Sequence, residues 1–400
     1  MQYRRVPKNG DQLSALGFDA MRLPTRRGRI DEERAAAQIR GAIDRGVNYI
    51  DTAVPYHGGE SERFLGRALQ DGYRERVKLA TKLPPWSVKT REDMDRILDV
   101  QLKKLRTDRI DYYLLHSLEA GHWKRLRDLG VLDFLDAALA SGRIRNAGFS
   151  FHGDVRTFRE IIDAYDWTFC QIQYNFLDET NQAGTEGLRL AASRGIAVMV
   201  MEPLRGGMLG GKLPAEVEET YRRTGLDRSG AAWALRWVWN HPEVTVVLSG
   251  MNDERHIAEN LATCEDALPG AMTPDELATV EAVAASYRRL MKVGCTGCSY
   301  CMPCPAGVNI PQCFSLYNAL AMGDSRLFTR GIYGMSLMGG MAGERADASL
   351  CRDCGKCAKV CPQGIAIPDE LKKVGRALGG LQTRMILPLA RLMFSTEVKE

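Results

Sequence analysis

The sequence predicts an α/β protein in which a closed barrel of eight parallel strands and their helices precedes a small, mainly helical domain. Over about the first 290 residues, short apolar runs alternate with longer segments of helical periodicity, as in parallel strands joined by crossover helices. Eight such units fit a closed barrel better than an open sheet, and no GxGxxG follows an early strand. Eight of the 11 cysteines then fall in two short runs, at residues 295–304 and 351–361.

The barrel strands are expected at the short apolar runs. In chain order they are Leu13–Gly17, Tyr49–Ala53, Val77–Leu83, Tyr112–Ser117, Ile144–Ser150, Phe169–Asn175, Ile196–Leu204 and Val244–Gly250. Helix-like segments such as Glu60–Gln70 and Glu92–Lys104 follow them. Parallel barrel strands all end at one face, so functional residues are expected where these strands end.

Length and composition limit the function further. Four hundred residues favour one large domain and a small one, here a barrel (1–290), a cysteine-rich domain (291–370) and a helical tail (371–400). The net charge is only +4 and no basic block with interleaved aromatics occurs, so nucleic-acid binding is not expected. No stretch approaches the roughly 18 consecutive apolar residues of a membrane span. Residues 1–30 lack a secretory signal, so we expect a cytoplasmic protein.

The clustered cysteines form two runs, each closed by a proline. The first is Cys295, Cys298, Cys301 and Cys304, and the second is Cys351, Cys354, Cys357 and Cys361. The second run has the full spacing of bacterial ferredoxins, whereas the first departs from it by one residue. Thiolates at this spacing converge on an iron–sulfur cluster. We therefore predict two 4Fe–4S clusters held by these eight side chains, in a two-cluster ferredoxin-like domain.

Structural zinc and disulfides are the alternative uses of these thiols. Zinc sites pair Cys-x2-Cys motifs across a longer loop and often include histidine, but no histidine lies between Cys295 and Cys361. Disulfides need an oxidising compartment, for which the sequence carries no signal. Iron–sulfur ligation is therefore favoured. Cys170, Cys264 and Cys313 are interpreted as ordinary buried cysteines, with Cys313 the alternative ligand for the first run.

Four polar residues gather at the ends of three consecutive predicted strands. Asp51 and Tyr56 follow one strand, Lys82 ends the next, and His116 ends the third. Alone, such an aspartate is commonly a turn former and such a histidine a satisfied core residue. Together at one barrel face, they form a group suited to acid–base chemistry.

The segments around these residues resemble the catalytic signature of the aldo-keto reductase superfamily, a TIM (β/α)8 barrel family of nicotinamide-dependent carbonyl reductases. They read Asp51-Thr-Ala-Val-Pro-Tyr56, Ala80-Thr-Lys82 and Asp111-Tyr-Tyr-Leu-Leu-His116. The resemblance implies that Tyr56 protonates the carbonyl oxygen of a small aldehyde or ketone and that Lys82 eases proton release. Asp51 would hold Lys82, while His116 would orient the substrate oxygen or share in proton delivery. The whole chain is similar to members with a C-terminal ferredoxin-type extension.

The same resemblance implies contacts with a nicotinamide dinucleotide. Ser150 and Gln171 would hold the carboxamide, and the glycine-rich segment Pro203–Lys212 would cover the pyrophosphate. The cofactor-binding residues implied are Ser150, Gln171, Leu204, Gly206, Gly250, Asn252, Arg255, Glu259 and Asn260. Met201 stands where many relatives have an aromatic ring, and His256 where some have an arginine for the ribose 2′-phosphate, which leaves that role to Arg255. NADPH is expected, with NADH the alternative.

The role of the clusters is the open question. Forty-six residues separate Cys304 from Cys351, which favours a helical ferredoxin module in which Cys304 and Cys361 each ligate the opposite cluster. A hydride carries two electrons, whereas a cluster accepts one, and no flavin signature is legible. We expect a carbonyl reductase that does not depend on its clusters, which serve electron exchange with a redox protein, sensing or structure. The alternatives are an enzyme passing electrons between NAD(P)H and a ferredoxin-type partner, and a non-catalytic nucleotide-binding redox sensor.

Overall fold

The computed structural model describes residues 1–295, 301–323, 325–339, 345–361, 364–380 and 383. Cys298 and almost all of the predicted tail beyond residue 380 lie outside these ranges. The chain forms two compact units. The first comprises Met1–Gly210 and Arg228–Val280, and the second comprises Gly211–Asp227 and the described residues from Glu281 onward.

The first unit is built on a closed barrel of eight parallel strands, as predicted. The strands of the unit are β1 (Tyr3–Arg5), β2 (Gln12–Ser14), β3 (Leu16–Asp19), β4 (Thr25–Arg26), β5 (Arg29–Ile30), β6 (Tyr49–Asp51), β7 (Lys78–Leu83), β8 (Ile110–Leu118), β9 (Ile144–Phe151), β10 (Phe169–Gln173), β11 (Ala197–Met201) and β12 (Val244–Ser249). The barrel order is β3, β6, β7, β8, β9, β10, β11 and β12, and β12 closes onto β3. Two antiparallel hairpins, β1–β2 and β4–β5, stand apart from the barrel sheet.

Helices connect the barrel strands. They are α1 (Glu32–Asp44), α2 (Ser61–Ala68), α3 (Arg91–Leu105), α4 (Ala120–Asp128), α5 (Val131–Ala140), α6 (Val155–Ala164), α7 (Gly184–Ser193), α9 (Gly230–Trp239) and α10 (Glu254–Glu265), while α8 (Ala215–Arg222) belongs to the second unit and α11 (Pro274–Leu290) crosses the division. Helix α3 begins with a capping box between Thr90 and Asp93, which satisfies two free backbone N–H groups. The predicted helical segments after the second and third barrel strands thus appear as α2 and α3.

The first barrel strand begins later than predicted. The sequence placed it at Leu13–Gly17, but Gln12–Ser14 pairs with β1 in a hairpin, and the barrel strand β3 runs from Leu16 to Asp19. Because β3 continues to Asp19, it carries a carboxylate to the same end of the barrel as Asp51, its partner in register on β6.

Large side chains fill the barrel interior. Tyr112 packs edge-on against Tyr49 and Phe169, with ring centroids 5.4 and 4.9 Å apart. Gly148 leaves room for this packing, since a Cβ there would lie 2.5 Å from the Phe169 ring. Burying each such ring stabilises the fold by about 1.5–3 kcal/mol. The face at which the barrel strands end is here called the mouth.

The second unit is mainly helical, as predicted. It contains α8 together with α12 (Ile310–Ala321), α13 (Arg326–Leu337), α14 (Lys356–Lys359) and α15 (Ile367–Leu378). Phe314, Tyr333, Leu371 and Val374 are buried in its core. Cys313 is also buried there, and Cys170 and Cys264 are buried in the first unit, as the sequence indicated. Among the described residues, no helix is long and apolar enough to cross a membrane.

Candidate active site

The ends of β6 and β7 bring an aspartate, a lysine and a tyrosine into one hydrogen-bonded group. Lys82 Nζ donates to Asp51 Oδ1 at 2.5 Å and to the Tyr56 hydroxyl oxygen at 3.3 Å. It also donates to the carbonyl oxygen of Thr52 at 2.8 Å. These bonds use all three ammonium protons, and Lys82 is only 1% exposed. The ammonium is therefore fixed next to the phenol.

The charge balance around Asp51 is unusual for an ion pair. Asp51 is fully buried, and its Oδ2 has no hydrogen-bond partner in the described chain. Burial raises the pKa of Asp51 to about 7, although the Lys82 ammonium opposes this shift. The nearby Asp19 carboxylate raises the pKa of Asp51 further. Two carboxylates therefore compete for one buried ammonium.

The pKa of Tyr56 is raised, not lowered as the sequence analysis expected. Burial raises it well above the ordinary value for tyrosine, and the carboxylates of Asp19, Asp51 and Glu202 raise it further. Lys82 alone would lower the pKa of Tyr56, but Asp19 ends β3 and Glu202 follows β11, and both carboxylates act against it. Tyr56 is therefore a protonated phenol at neutral pH, with Lys82 Nζ 4.9 Å from its ring centroid.

His116 is a neutral imidazole on β8. Burial lowers its pKa to about 2, and the charge of Lys82 lowers it further. Its ring centroid lies 6.4 Å from that of Tyr56 and 5.2 Å from that of Trp86. Its Nδ1 atom is buried without a partner in the described ranges. A neutral imidazole offers one donor and one acceptor, so His116 is suited to orienting a carbonyl oxygen and not to acting as a charged acid.

Ser150 and Gln171 lie opposite each other where β9 pairs with β10. Both are buried. Ser150 Oγ accepts a hydrogen bond from the Ser117 backbone N–H at 2.7 Å. Gln171 Nε2 lies 3.7 Å from Met201 Sδ, while Gln171 Oε1 is buried with no partner among the described residues. A carboxamide N–H would satisfy this orphan acceptor, so the two residues fit the nicotinamide amide.

The segment after β11 is shaped to approach a phosphate. Gly206 and Gly207 are exposed and have φ of 69° and 99°, a backbone region that favours glycine. Leu204 is half-buried at the start of this turn. The guanidinium of Arg205 is held 3.1 Å from the Asp178 carboxylate. Exposed glycine backbone at this point permits close contact with an anionic ligand.

A second anion-binding feature lies between β12 and α10. Gly250 and Asn252 precede the helix, and Asp253 caps it by accepting from the Arg255 backbone N–H at 2.9 Å. The N-terminus of α10 presents free N–H groups and the positive end of the helix dipole. The side chain of Arg255 is 89% exposed and pairs with Asp253 at 3.1 Å.

The remaining two predicted contacts lie one turn further along α10. Glu259 is half-buried, whereas Asn260 is buried and donates from Nδ2 to Ser249 Oγ at 3.1 Å. Asn260 therefore ties α10 to the end of β12, and Glu259 has the more accessible side chain of the two.

The mouth also holds three charged residues that the predicted strand ends do not include: Asp19, Arg22 and Glu202. Asp19 ends a barrel strand, which is the signal that identified the other site residues, but the predicted strand stopped at Gly17. Glu202 directly follows β11 and has a positive φ of 54°. It lay inside the predicted strand Ile196–Leu204 and was therefore not interpreted as a strand-end residue.

The second unit brings cysteines of both runs together. Burial raises the pKa of Cys357, and the charges of Cys351 and Cys304 raise it further, so the last cysteine of the first run lies near the second run. Six cysteines pack partly buried against the core of the unit: Cys295, Cys301, Cys304, Cys351, Cys357 and Cys361. Cys354 is exposed.

This donor set fits an iron–sulfur cluster. Its members are all thiols, and thiolates are the usual ligands of such a cluster, each bound to a different iron. Cys304 lies near the second run, as it must if it ligates the cluster that the second run holds.

Comparisons with known proteins agree with both parts of this description. A model described as "Aldo/keto reductase family" matches residues 15–284, and one described as "4Fe-4S dicluster domain" matches residues 294–366. "Probable voltage-gated potassium channel subunit beta" of Oryza sativa subsp. japonica is 25% identical over 333 residues, covering 72% of this chain and 97% of the relative. "Aflatoxin B1 aldehyde reductase member 2" of Rattus norvegicus is 28% identical over 308 residues, covering 64% and 80%. A solved aldo-keto reductase from Bacillus halodurans (holo form) has a TM-score of 0.59 and 25% identity, covering 71% and 96%.

Proposed function

This chain belongs to the aldo/keto reductase family of NAD(P)H-dependent oxidoreductases, and we propose that its barrel reduces a small aldehyde or ketone to an alcohol with NADPH. The observation that carries the proposal is the buried Lys82 ammonium, which donates at once to Asp51 and to the Tyr56 hydroxyl. The neutral His116 beside Tyr56 supports the same chemistry.

The four mouth residues divide the work of carbonyl reduction. The bound nicotinamide supplies the hydride. As negative charge develops on the carbonyl oxygen, the Tyr56 phenol donates its proton there and the His116 N–H holds the oxygen in place. Lys82 then stabilises the phenolate left on Tyr56, and Asp51 keeps Lys82 in position. The raised pKa of Tyr56 ensures that the proton is present when substrate arrives.

We assign the cofactor contacts along the mouth. Ser150 and Gln171 hold the carboxamide, and Leu204 and Gly206 border the pyrophosphate. The adenosine end is assigned to Gly250, Asn252, Arg255, Glu259 and Asn260. The unpartnered Gln171 acceptor supports placing the carboxamide at this end, and the exposed glycine turn supports placing the pyrophosphate beside it. Arg255 supports NADPH over NADH, because an exposed guanidinium at a helix N-terminus can bind a ribose 2′-phosphate.

In the cysteine-rich domain, we propose two 4Fe–4S clusters that carbonyl reduction does not require. The two-run pattern and the proximity of Cys304 to Cys357 support the clusters. A cluster accepts one electron whereas hydride transfer moves two, and this difference supports carbonyl reduction that does not use the clusters. The domain limits 1–290, 291–370 and 371–400 belong to the same proposal.

A second candidate function is one-electron exchange with an acidic redox protein. It is favoured by the exposed Cys354 and by the exposed cations Arg352, Lys356 and Lys359 in the same short segment. Cations around a cluster attract an acidic carrier, and such attraction weakens as salt is added. A non-catalytic role is the third candidate, and it is supported by the similarity to a relative named as a probable potassium channel subunit.

The test combines a substrate panel with one cysteine variant. Anaerobically purified protein is mixed with NADPH and a panel of small aldehydes and ketones, and NADPH absorbance and cluster absorbance are followed together. Loss of NADPH that needs a carbonyl and leaves the clusters unbleached supports the reductase. Bleaching without any carbonyl favours electron exchange. If NADPH is not consumed and the clusters are not bleached, the result favours the non-catalytic role. If Cys354→Ser abolishes NADPH oxidation in a folded protein, the proposed independence of the clusters is wrong.

A further inference from the structure

The backbone of Lys82 is held from outside the barrel by a glutamine of α3. The Ala80 carbonyl oxygen, two residues earlier on β7, accepts from the Thr52 backbone N–H at 2.9 Å. The Lys82 carbonyl faces the same neighbouring strand, but β6 ends at Asp51 and offers it no further partner. Gln101 Nε2 donates to this carbonyl oxygen at 3.0 Å instead. A side chain thus replaces the missing strand at the residue that carries the site's ammonium.

The Gln101 amide is fixed in one orientation. Its Oε1 accepts from the Tyr113 hydroxyl at 2.8 Å, and its Nε2 donates to Glu62 Oε1 at 2.8 Å. The opposite orientation would turn the amide oxygen towards a carboxylate and a carbonyl, both of which only accept. Gln101, Glu62 and Tyr113 are all buried, so water does not compete for these bonds.

Glu62 belongs to the helix that follows the Tyr56 turn. It is 0% exposed, and its Oε1 also accepts from the Thr81 hydroxyl at 2.8 Å. Helix α2 lies so close to α3 that a Cβ on Gly66 would be 2.2 Å from the Lys104 carbonyl oxygen. This close approach brings the Glu62 carboxylate within reach of Gln101. A buried carboxylate that touches neither substrate nor cofactor therefore connects α2 and α3 to the end of β7.

We propose that Gln101 and Glu62 are positioning residues for carbonyl reduction, which act through the backbone of Lys82 to hold its ammonium at Tyr56. The inference rests on the proposed reductase function. The bond from Lys82 Nζ to the Tyr56 hydroxyl, at 3.3 Å, is the longest of the three that Nζ donates. A small displacement of the Lys82 backbone breaks this bond first, since hydrogen bonds weaken rapidly beyond such distances.

Steady-state kinetics tests the positioning role. Gln101→Leu keeps an apolar volume at this position and removes the donor to the Lys82 carbonyl. It should lower kcat by roughly 10²-fold, the effect of a small misplacement in an active site, and leave NADPH affinity unchanged. Glu62→Gln keeps an oxygen acceptor for Gln101 and should lose less. If Gln101→Leu does not fold, Tyr113→Phe takes its place, and a smaller fall in kcat at unchanged NADPH affinity is expected.

The matched control is Asn146→Leu. Asn146 is another buried amide that donates to a backbone carbonyl of a barrel strand, that of Asp111 at 2.9 Å, at the end away from the mouth. Its loss should lower stability and leave kcat unchanged. A wild-type kcat in Gln101→Leu, or an equal fall in Asn146→Leu, would overturn the proposal. It would also be overturned if Glu62→Gln lost as much as Gln101→Leu, because the hydrogen-bond acceptor would then not be what matters.

An ammonium signal of Lys82 gives a reading that does not depend on turnover. In ¹⁵N-labelled, anaerobically purified protein, a buried and hydrogen-bonded ammonium gives a ¹H–¹⁵N signal, which is assigned by its absence in Lys82→Met. The signal should shift or broaden in Gln101→Leu and stay unchanged in Asn146→Leu. An unchanged signal in Gln101→Leu would refute the positioning role. If wild type oxidises no NADPH with any carbonyl, the reductase proposal fails, and this signal still decides whether Gln101 holds Lys82.

Discussion

Replacing Lys82 with methionine is expected to leave a buried carboxylate without its partner. Lys82 is 1% exposed and Asp51 is 0% exposed, so water cannot replace the lost ammonium at Asp51. Removing one partner of a buried pair costs about 3–5 kcal/mol. We expect Lys82→Met to lower the free energy of barrel unfolding by this amount near pH 9. The double variant Lys82→Met/Asp51→Asn should recover most of the loss, because the fully buried Asp51 charge is then removed together with its partner.

The destabilisation depends on pH because Asp51 can bind a proton. The pKa of Asp51 is raised to about 7 in the folded protein, whereas an unfolded aspartate titrates near pH ~4. A group whose pKa is higher in the folded than in the unfolded protein contributes its full stabilisation below its unfolded pKa. This stabilisation is lost as the pH rises through the folded pKa. Without Lys82 the folded pKa moves higher still. The excess destabilisation of the variant should therefore be small below about pH 7 and grow by about 1.4 kcal/mol per pH unit above it.

Urea unfolding followed by tryptophan fluorescence measures this loss. All six tryptophans lie between residues 86 and 239, within the first unit, so the signal reports on the barrel. Both variants should be inactive in carbonyl reduction, and only the single variant should be strongly destabilised. A loss below about 1 kcal/mol near pH 9, or a double variant no more stable than Lys82→Met, would refute the buried-pair reasoning.

Three further variants probe the other mouth residues. His116→Ala should lower kcat by about 10²–10³-fold, as for loss of one oxyanion donor, and the wild-type pH profile should show no limb from His116, because its pKa is lowered to about 2. Asp19→Asn removes a carboxylate that raises the pKa of Tyr56, so the alkaline loss of kcat/KM, which follows phenol ionisation, should move to lower pH. Gln171→Ala should weaken NADPH binding by about 2- to 12-fold in a fluorescence titration.

Each of these variants has a contradicting result. A wild-type rate that changes with pH near the ordinary pKa of histidine, about 6.5, would mean that protonated His116 takes part. An unchanged alkaline limb in Asp19→Asn would separate Asp19 from the proton donor. Unchanged NADPH affinity in Gln171→Ala would contradict the assignment of the carboxamide contact.

The strand-end position of the main site residues could be predicted because parallel barrel strands all end at one face. Asp51, Lys82 and His116 each end or nearly end an apolar run, which a sequence displays directly. Asp19 was lost because the hairpin between β1 and β2 takes up the residues that the first predicted barrel strand used. Such a hairpin is a long-range pairing choice, and the alternation of apolar residues around Leu13 does not encode it.

The electrostatics could not be predicted from the same residues. A raised pKa at Tyr56 depends on burial and on carboxylates contributed by β3, β6 and the turn after β11, which are far apart in the chain. The orphan acceptor on Gln171 likewise becomes visible only when its neighbours are in place. In the second unit, the spacing of the cysteines predicts that Cys304 joins the second run, and the fold places Cys304 near Cys357.

Single-turnover reduction of an aldehyde by Tyr56→Phe tests the central claim most directly. The variant is saturated with NADPH and mixed with the best aldehyde of the panel, and the loss of NADPH absorbance is timed against wild type. We predict a rate lower by about 10²–10⁴-fold, the usual contribution of a general acid, with unchanged NADPH affinity. A variant that reduces the aldehyde at the wild-type rate would contradict the assignment of Tyr56 as proton donor, and with it the proposed mechanism.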